Sequence, residues 1–298
     1  MMGLRIWSIG VALAAALMGN AVAETLDPAK PEDAVRIAQK MGCKTLKDKQ
    51  PTYAYVDGGA FARVPGEKDR KLFYVRVLGV TQCKSFMDER RGPGYRSVHR
   101  EVLFYYDPDT MEMLRTWTNP WTGEEVEVVH VANDPVNMRA PTHAYDEDGN
   151  PYTLDIRTMY GVVMKLRDVP LFYKNPLGGE FQDYVGGTYQ AMESFQDFFH
   201  ADELFDSETD IKTHYAGWFR YSKFLPWMKM GDRTGMMFFT AKAGKIFDLD
   251  QVPADMIAET EAYYPEFLSP PRVDDDRPNE TSWIGFKNYM EAKEEAGQ

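Results

Sequence analysis

His99 and Glu101 stand two residues apart in segment 95–107, "YRSVHREVLFYYD", which is rich in β-branched and aromatic residues. In a strand, alternate side chains share a face, so the imidazole and the carboxylate would be neighbours. A nearby carboxylate raises the basicity of a histidine, as a general base requires. The alternative is a solvated outer face whose charges pair across strands. The face with the acid/base pair carries Tyr95, Ser97, His99, Glu101, Leu103 and Tyr105.

A second candidate base is His130, in the stretch "EVEVVHV". Strand alternation places it in register with Val126 and Val128, so it points toward a core or a cavity. A histidine there is either a hydrogen-bonded core residue or a catalyst. Asn133 and Asp134 follow at the strand exit, where they either close a turn or line the mouth of a barrel and bind substrate.

The stretch 225–239, "LPWMKMGDRTGMMFF", holds a lysine among tryptophan and methionine side chains. Strand alternation would place Trp227 and Lys229 on one face and the methionines on the other, as core filling. Desolvation among these neighbours would lower the pKa of Lys229 into the range of a base. Asp232 and Arg233 then form either a surface ion pair or a part of the site. We count Lys229 and Arg233 as catalytic candidates, and Trp227 and Asp232 as substrate-binding candidates.

Near the carboxyl terminus, "RPNETSW" contributes Glu280 and Trp283 as further substrate-binding candidates. The same motif contains a possible capping box, in which Thr281 or Ser282 opens the last helix and Glu280 is structural. The pattern is compatible with both interpretations.

Motifs for cofactor, metal or nucleophilic chemistry do not occur in the sequence. There is no G-x-S-x-G, P-loop, G-x-G-x-x-G, H-E-x-x-H or C-x-x-C. These patterns mark hydrolases, nucleotide-binding proteins, dehydrogenases and zinc sites. We therefore predict no cofactor and no metal, and acid/base chemistry if the protein is an enzyme.

Most elements that must position these residues read as strands. A helix is predicted at 29–41, from helical spacing of apolar residues and Pro31 in its first turn. Predicted strands cover 71–83, 95–107, 111–117, 124–131, 213–224 and 235–247, with turns such as "RRGPG" and "NPWTG" between the first four. Consecutive short turns predict an antiparallel meander.

Other segments complete the prediction. "DEDGN" at 146–150 is a hairpin turn and not a calcium loop, because Arg157 stands where the loop needs a glutamate. Segments 253–264 and 282–296 predict helices, and 186–205 fits either helix or strand. The fold class is mainly β (α+β): an antiparallel β-barrel-like or sandwich domain with a few peripheral helices.

The amino terminus has the pattern of a secretory signal, with Arg5, an apolar run and "AVA" at 21–23. We expect a signal peptide at 1–23, one β-rich domain at 24–298, and a periplasmic or secreted protein. No later stretch approaches the roughly 20 apolar residues of a spanning helix, so we expect no membrane insertion after cleavage. The two cysteines, Cys43 and Cys83, form either a disulfide or two free thiols.

The net charge of the protein disfavours two classes of binding partner. The formal net charge is −12, which disfavours nucleic acids and anionic membranes because both would repel the protein. A small neutral, aromatic or cationic molecule remains compatible, and the oligomeric state is not predicted.

Several longer strings resemble a known family. "NPWTGE", "HVANDPVN", "LPWMKMGDR" and "RPNETSW", within the span Leu72 to Tyr289, are similar to the DUF1838 proteins, a bacterial family of unknown function. The resemblance implies one exported domain. It lends weight, without assigning roles, to the residues of these strings: His130, Asn133, Asp134, Trp227, Lys229, Asp232, Arg233, Asn279, Glu280 and Trp283.

Two functional hypotheses follow. The first is an exported, cofactor-independent lyase or isomerase that acts on a small hydrophobic or aromatic molecule by proton abstraction in a barrel-like cavity. The second is a non-catalytic, lipocalin-like binding protein for such a molecule, since a barrel mouth with Tyr, Trp and Met suits a carrier equally well.

Overall fold

A computed structural model describes residues 24–138, 141–174, 177, 188–231 and 233–297. The predicted signal peptide and the candidate Asp232 lie outside the described residues. The helices are α1 (Pro31–Cys43), α2 (Ala201–Phe205), α3 (Ala254–Tyr263) and α4 (Ser282–Glu295). The strands are β1 (Thr52–Arg63), β2 (Arg70–Asp88), β3 (Gly92–Tyr106), β4 (Thr116–Thr118), β5 (Glu125–Glu127), β6 (Asn137–Met138), β7 (Thr142–His143), β8 (Arg157–Met159), β9 (Val162–Lys174), β10 (Thr188–His200), β11 (His214–Ser222) and β12 (Met236–Ile246).

Within the described part of the chain, ten strands form one antiparallel sheet that curls into a half-barrel. Its order is β6-β3-β2-β1-β12-β11-β10-β9-β8, and β7 also pairs with β3. Two meanders, β1-β2-β3 and β9-β10-β11-β12, are joined where β12 pairs with β1. The predicted mainly β class is confirmed. Of the four strands that the predicted meander joined between 71 and 131, only β2 and β3 pair in this sheet as regular strands. β4 and β5 form a separate hairpin.

Apolar alternation along β2 and β3 explains the packing of the convex face. Leu78, Val80, Val102 and Phe104 are buried there against α3 and the 3-10 turn Pro265–Leu268. The residues between them point to the concave side, as strand periodicity requires. One strand pair therefore contributes both to a core and to the wall of a cavity.

β1 was not predicted, because Gly58 and Gly59 interrupt its apolar pattern. The reason for Gly58 is steric: a Cβ there would lie 2.2 Å from the carbonyl oxygen of Thr240 and 2.5 Å from the Cα of Ala241. The glycine lets β1 approach β12 closely at the junction of the two meanders.

Three local predictions needed correction or completion. The predicted strand 111–117 is wrong for most of its length: Met113 forms an isolated bridge with Tyr106, and only β4 is regular. Strand 124–131 shrinks to β5, with Val131 bridged singly to Leu103. Segment 186–205, left open between helix and strand, is β10 followed by α2.

The helices and one cross-link complete the frame. The predicted helices at 29–41, 253–264 and 282–296 are confirmed as α1, α3 and α4. Cys43, the last residue of α1, forms a disulfide with Cys83 of β2, and their Cα atoms are 6.0 Å apart. The disulfide holds α1 against the end of the half-barrel, where it also packs on β3.

Candidate functional site

The concave side of the sheet encloses a cavity of about 510 Å³, hereafter the half-barrel cavity. Small residues of the central strands form its floor: Ala54 of β1, Gly79 of β2, Ala216 of β11 and Ala243 of β12. Cross-strand register places Ala54 opposite Gly79, and Ala216 opposite Ala243. Because these side chains do not fill the curve of the sheet, space remains between its two walls.

The β3 wall is the face that strand alternation predicted. All six of its members line the cavity: Tyr95, Ser97, His99, Glu101, Leu103 and Tyr105. The alternative of a solvated outer face is therefore wrong for this strand. The candidate pair His99 and Glu101 faces the cavity interior.

β9, β10 and β11 form the opposite wall, which combines charged and aromatic side chains. Arg220 donates hydrogen bonds to Glu193 Oε1 at 2.7 Å and to the Tyr189 hydroxyl at 2.9 Å. On the same wall the Arg167 guanidinium lies over the Phe195 ring, 4.3 Å from its centroid. Although burial alone would lower the pKa of Arg220, the neighbouring Tyr189 and Glu193 raise it, so its positive charge is secure.

A second polar pair on this wall joins β11 to β10. His214 Nε2 lies 2.9 Å from Asp197 Oδ1. Burial lowers the pKa of His214 and nearby Lys44 adds to the effect, whereas Asp197 opposes it. Burial raises the pKa of Asp197, but the hydrogen bond with His214 and the positive charges of Lys44 and Arg167 together lower it by more, so the net shift is downward. The pair is thus a carboxylate held beside a largely neutral imidazole.

Glu101, on the β3 wall, interacts electrostatically with charged residues of the opposite wall. Its side chain is accessible from the cavity, yet protein surrounds it. This desolvation, together with the negative charges of Glu193 and Asp134, raises the pKa of Glu101 to about 7, and the positive charges of Arg220 and Arg167 oppose the rise only partly. A carboxyl group that titrates near neutrality can both accept and donate a proton.

α1 closes one end of the cavity. Ala38, Met41, Gly42 and Lys44, at and just beyond its carboxyl-terminal turn, line the space. Lys44 ends the helix with a left-handed backbone conformation (φ 62°), and its N–H donates to the Lys40 carbonyl. The geometry is therefore a cavity with a small-residue floor, one acid/base wall, one wall of paired charges and aromatic rings, and a helical cover.

Comparison with protein-family models finds a match to "Protein of unknown function (DUF1838)" over residues 49–290. The chain belongs to the DUF1838 family. A search of curated proteins gave no match to this DUF1838 protein. The crystal structure of a LolA superfamily protein from Nitrosomonas europaea is similar over 76% of this chain and 97% of its own, with 8% identity and a TM-score of 0.15. A score that low supports no argument about ligand or activity.

Among the predicted catalytic residues of this DUF1838 protein, His99 and Glu101 line the half-barrel cavity, and His130 does not. His130 packs edge-on against Phe104, with centroids 5.1 Å apart, and its Nδ1 accepts a hydrogen bond from the Tyr105 N–H at 3.3 Å. Burial lowers the pKa of His130 to about 4, so it is neutral. Its position in the structure corresponds to the core alternative.

Asn133, Asp134, Glu280 and Trp283 fasten α4 to the sheet. Asp134 Oδ1 accepts a hydrogen bond from the Glu280 N–H at 2.8 Å, and the Asn133 amide donates to the Glu280 carbonyl. Trp283 is buried against Tyr189, with ring centroids 5.3 Å apart. Burial raises the pKa of Asp134 to about 6. These side chains support the wall that carries Tyr189, and Asp134 also influences Glu101 electrostatically.

The stretch 225–231 is not a strand, so the predicted alternation of Trp227 and Lys229 with the methionines is wrong. A 3-10 turn covers Pro226–Met228, and Lys229 follows in a left-handed conformation (φ 49°). Trp227 is buried among aromatic rings that include Phe73 and Tyr105. Lys229 extends outward to an ion pair with Glu124 at 2.9 Å.

Arg233, the remaining catalytic candidate, lies over the Trp121 ring, 5.8 Å from its centroid. Lys229 and Arg233 are both absent from the lining of the half-barrel cavity. The structure thus brings together His99 and Glu101 from the predicted set and places the others elsewhere.

Sequence reasoning missed the charged residues of the opposite wall. They are Lys165, Arg167, Glu193, Asp197, His214 and Arg220. A period-two pattern could have found them: in β10, Glu193, Phe195 and Asp197 alternate with outward residues, but the segment also fitted a helix. The described residues contain no cluster of three or more His, Cys, Asp or Glu side chains placed to hold a metal ion.

Proposed function

We propose that this protein binds a small hydrophobic or aromatic molecule in the half-barrel cavity. The observation that carries the proposal is the cavity itself: about 510 Å³, floored by alanine and glycine and walled by aromatic rings together with charged side chains, several of which are paired with one another. Ligand sites are typically concave and combine apolar surface with polar groups that fix the orientation of the ligand. The Tyr105, Phe195 and Trp218 rings provide apolar contact, and the β3 carboxyl and imidazole provide polar contact.

The test uses a neutral aromatic fluorophore, N-phenyl-1-naphthylamine, whose emission increases in an apolar site. Ala216→Trp should abolish the increase, because the indole would fill the floor of the cavity. Thr240→Trp, on an outward position of neighbouring β12, is the matched control and should bind as the unmodified protein does. Equal binding by both variants, or no binding by the unmodified protein, would contradict the proposal.

A second candidate function is acid/base catalysis on the bound molecule, of the lyase or isomerase type. It is favoured by Glu101, whose carboxyl group titrates near neutrality beside His99 on the same wall. A general base works best when its pKa lies near the working pH. Elimination or isomerisation would begin with removal of a proton by the Glu101 carboxylate.

Incubation of the protein with a panel of small aromatic compounds, followed by mass spectrometry of the compounds, distinguishes an enzyme from a carrier. For an enzyme we expect a product from the unmodified protein, a rate that rises through pH 7, and a loss of about 100-fold or more with Glu101→Gln. Recovery of every bound compound intact would favour the carrier. Because Glu101→Gln preserves the shape of the side chain, fluorophore binding should persist in that variant.

A further inference from the structure

A second depression, on the convex side of the sheet, collects positive charge in a protein whose formal net charge is −12. It measures about 710 Å³ and is hereafter the basic cleft. Its lining comprises Lys49, Gln82, Lys84, Phe86, Asp88, Arg91, Arg96, Pro141, His143, Arg272, Val273 and Asp274. Because β2 contributes its even-numbered side chains here and its odd-numbered ones to the half-barrel cavity, the two spaces lie on opposite faces of the sheet.

Lys84 and Arg96 stand directly opposite each other in the register of β2 and β3. The Cβ atoms of such partners are about 5 Å apart, and like charges in this arrangement destabilise a sheet. Two other arginines on this convex face have carboxylate partners: Arg100 pairs with Glu266 at 2.6 Å, and Arg76 with Asp255 at 3.3 Å. Among the described residues, no carboxylate lies within 4.0 Å of the Lys84 or Arg96 side chains.

Hydrogen bonds to backbone carbonyls position two further positively charged residues, Lys49 and Arg272, at the basic cleft. The Lys49 N–H donates to the Cys83 carbonyl at 2.7 Å, which holds Lys49 beside Lys84, and Lys49 has a left-handed backbone (φ 59°). On the other side, the buried Gln82 amide donates to the Pro271 carbonyl and so positions Arg272. Three separate parts of the chain thus converge on one cleft.

The carboxylates of the cleft do not neutralise this charge. Asp88 is bound by Arg91, with a distance of 3.1 Å to the guanidinium, and Asp274 is bound by Arg272 at 2.7 Å. Asp274 also attracts Lys84 electrostatically. Once these pairs are matched, Lys49, Lys84 and Arg96 leave the cleft with excess positive charge.

We propose that the basic cleft binds a small organic anion that carries phosphate or carboxylate groups. The planar Arg96 guanidinium suits two-point contact with either group, and Lys84 and Lys49 supply point charges around it. A bound anion would also relieve the repulsion between Lys84 and Arg96. Phe86 and Pro141 provide apolar contact for a carbon skeleton, which free chloride could not use.

Calorimetric titration with pyrophosphate and with citrate tests the proposal, in chloride buffer of matched ionic strength. We expect binding of at least one of the two, and the stronger ligand identifies phosphate or carboxylate as the preferred group. The variant Lys84→Gln/Arg96→Gln should weaken it by about tenfold or more, the size expected for lost charge-assisted hydrogen bonds. Lys30→Gln/Lys68→Gln, which removes the same charge from exposed sites elsewhere, should bind as the unmodified protein does.

Failure to bind either anion, or equal weakening in both double variants, would overturn the proposal. The outcome is independent of the proposed function. A circular dichroism spectrum equal to that of the unmodified protein would show that Lys84→Gln/Arg96→Gln is folded, and anion binding by Ala216→Trp would show that the cleft acts without the cavity.

Discussion

Burial of the Glu101 carboxyl group makes the stability of the protein depend on pH. Its folded pKa of about 7 exceeds the unfolded value of roughly 4.3. The folded state therefore binds the proton more tightly, and the associated stability is complete below about pH 4 and lost as pH rises to about 7.

Glu101→Gln should consequently be more stable than the unmodified protein at pH 8 and nearly equal to it at pH 4. We expect a difference on the order of 1 kcal/mol, because water in the cavity screens the charge. Urea denaturation at the two pH values measures it. A constant difference between pH 4 and pH 8 would contradict the raised pKa.

Arg220 and Glu193 form an ion pair whose disruption should lower the free energy of unfolding. Arg220→Met should destabilise the protein by about 2–4 kcal/mol, because it leaves the Glu193 carboxylate without its partner in a mostly buried site. Glu193→Gln in the same chain should restore part of this loss. A double-mutant cycle from urea denaturation measures the coupling, and additive effects would show that the pair contributes nothing.

At the scale of elements, the junction of β1 and β12 depends on Gly58. Gly58→Ala should cost about 1–3 kcal/mol, because the new methyl group meets the backbone of Thr240 and Ala241. Gly79→Ala is the control, since the nearest atom to its Cβ would be the Ala54 carbonyl oxygen at 4.0 Å. The midpoint of thermal denaturation should be lower for Gly58→Ala than for Gly79→Ala. Equal midpoints would argue against a close approach of β1 and β12 at Gly58.

The attachment of α1 is a second property at this scale. Replacing Cys43 and Cys83 by serine frees a chain segment with a sequence separation of 40 residues. Loop-closure entropy predicts a loss of about 4 kcal/mol or less. Because α1 covers the half-barrel cavity, fluorophore binding should weaken even where the variant remains folded. Unchanged affinity would mean that the rest of the α1 packing suffices.

For the whole molecule, we propose that the protein works outside the cytoplasm. The disulfide supports this, since such bonds persist in oxidising compartments. No helix in the part of the chain that the structure describes is long and apolar enough to cross a bilayer. Expression in a bacterium followed by fractionation and amino-terminal sequencing should find a periplasmic protein that begins at Glu24. An uncleaved cytoplasmic chain with reduced thiols would contradict the proposal.

Local patterns in the sequence determined the mainly β class, helices α1, α3 and α4, and the face of β3 that carries His99 and Glu101. These depend on periodicity and caps, which involve residues near one another in the chain. Thr281, for example, caps α4 by accepting a hydrogen bond from the Ile284 N–H at 3.2 Å.

Only the tertiary structure decided which candidates share a site. Curvature of the sheet brings β3 opposite β9–β11, so charged residues more than sixty positions away in the chain shift the pKa of Glu101. Lys229, in "LPWMKMG", points outward because a 3-10 turn replaces the predicted strand. Desolvation and long-range charge depend on the complete packing, which no short stretch encodes. The sequence by itself therefore determined the elements and one wall of the cavity, and the folded sheet determined the opposite wall and the placement of the remaining candidates.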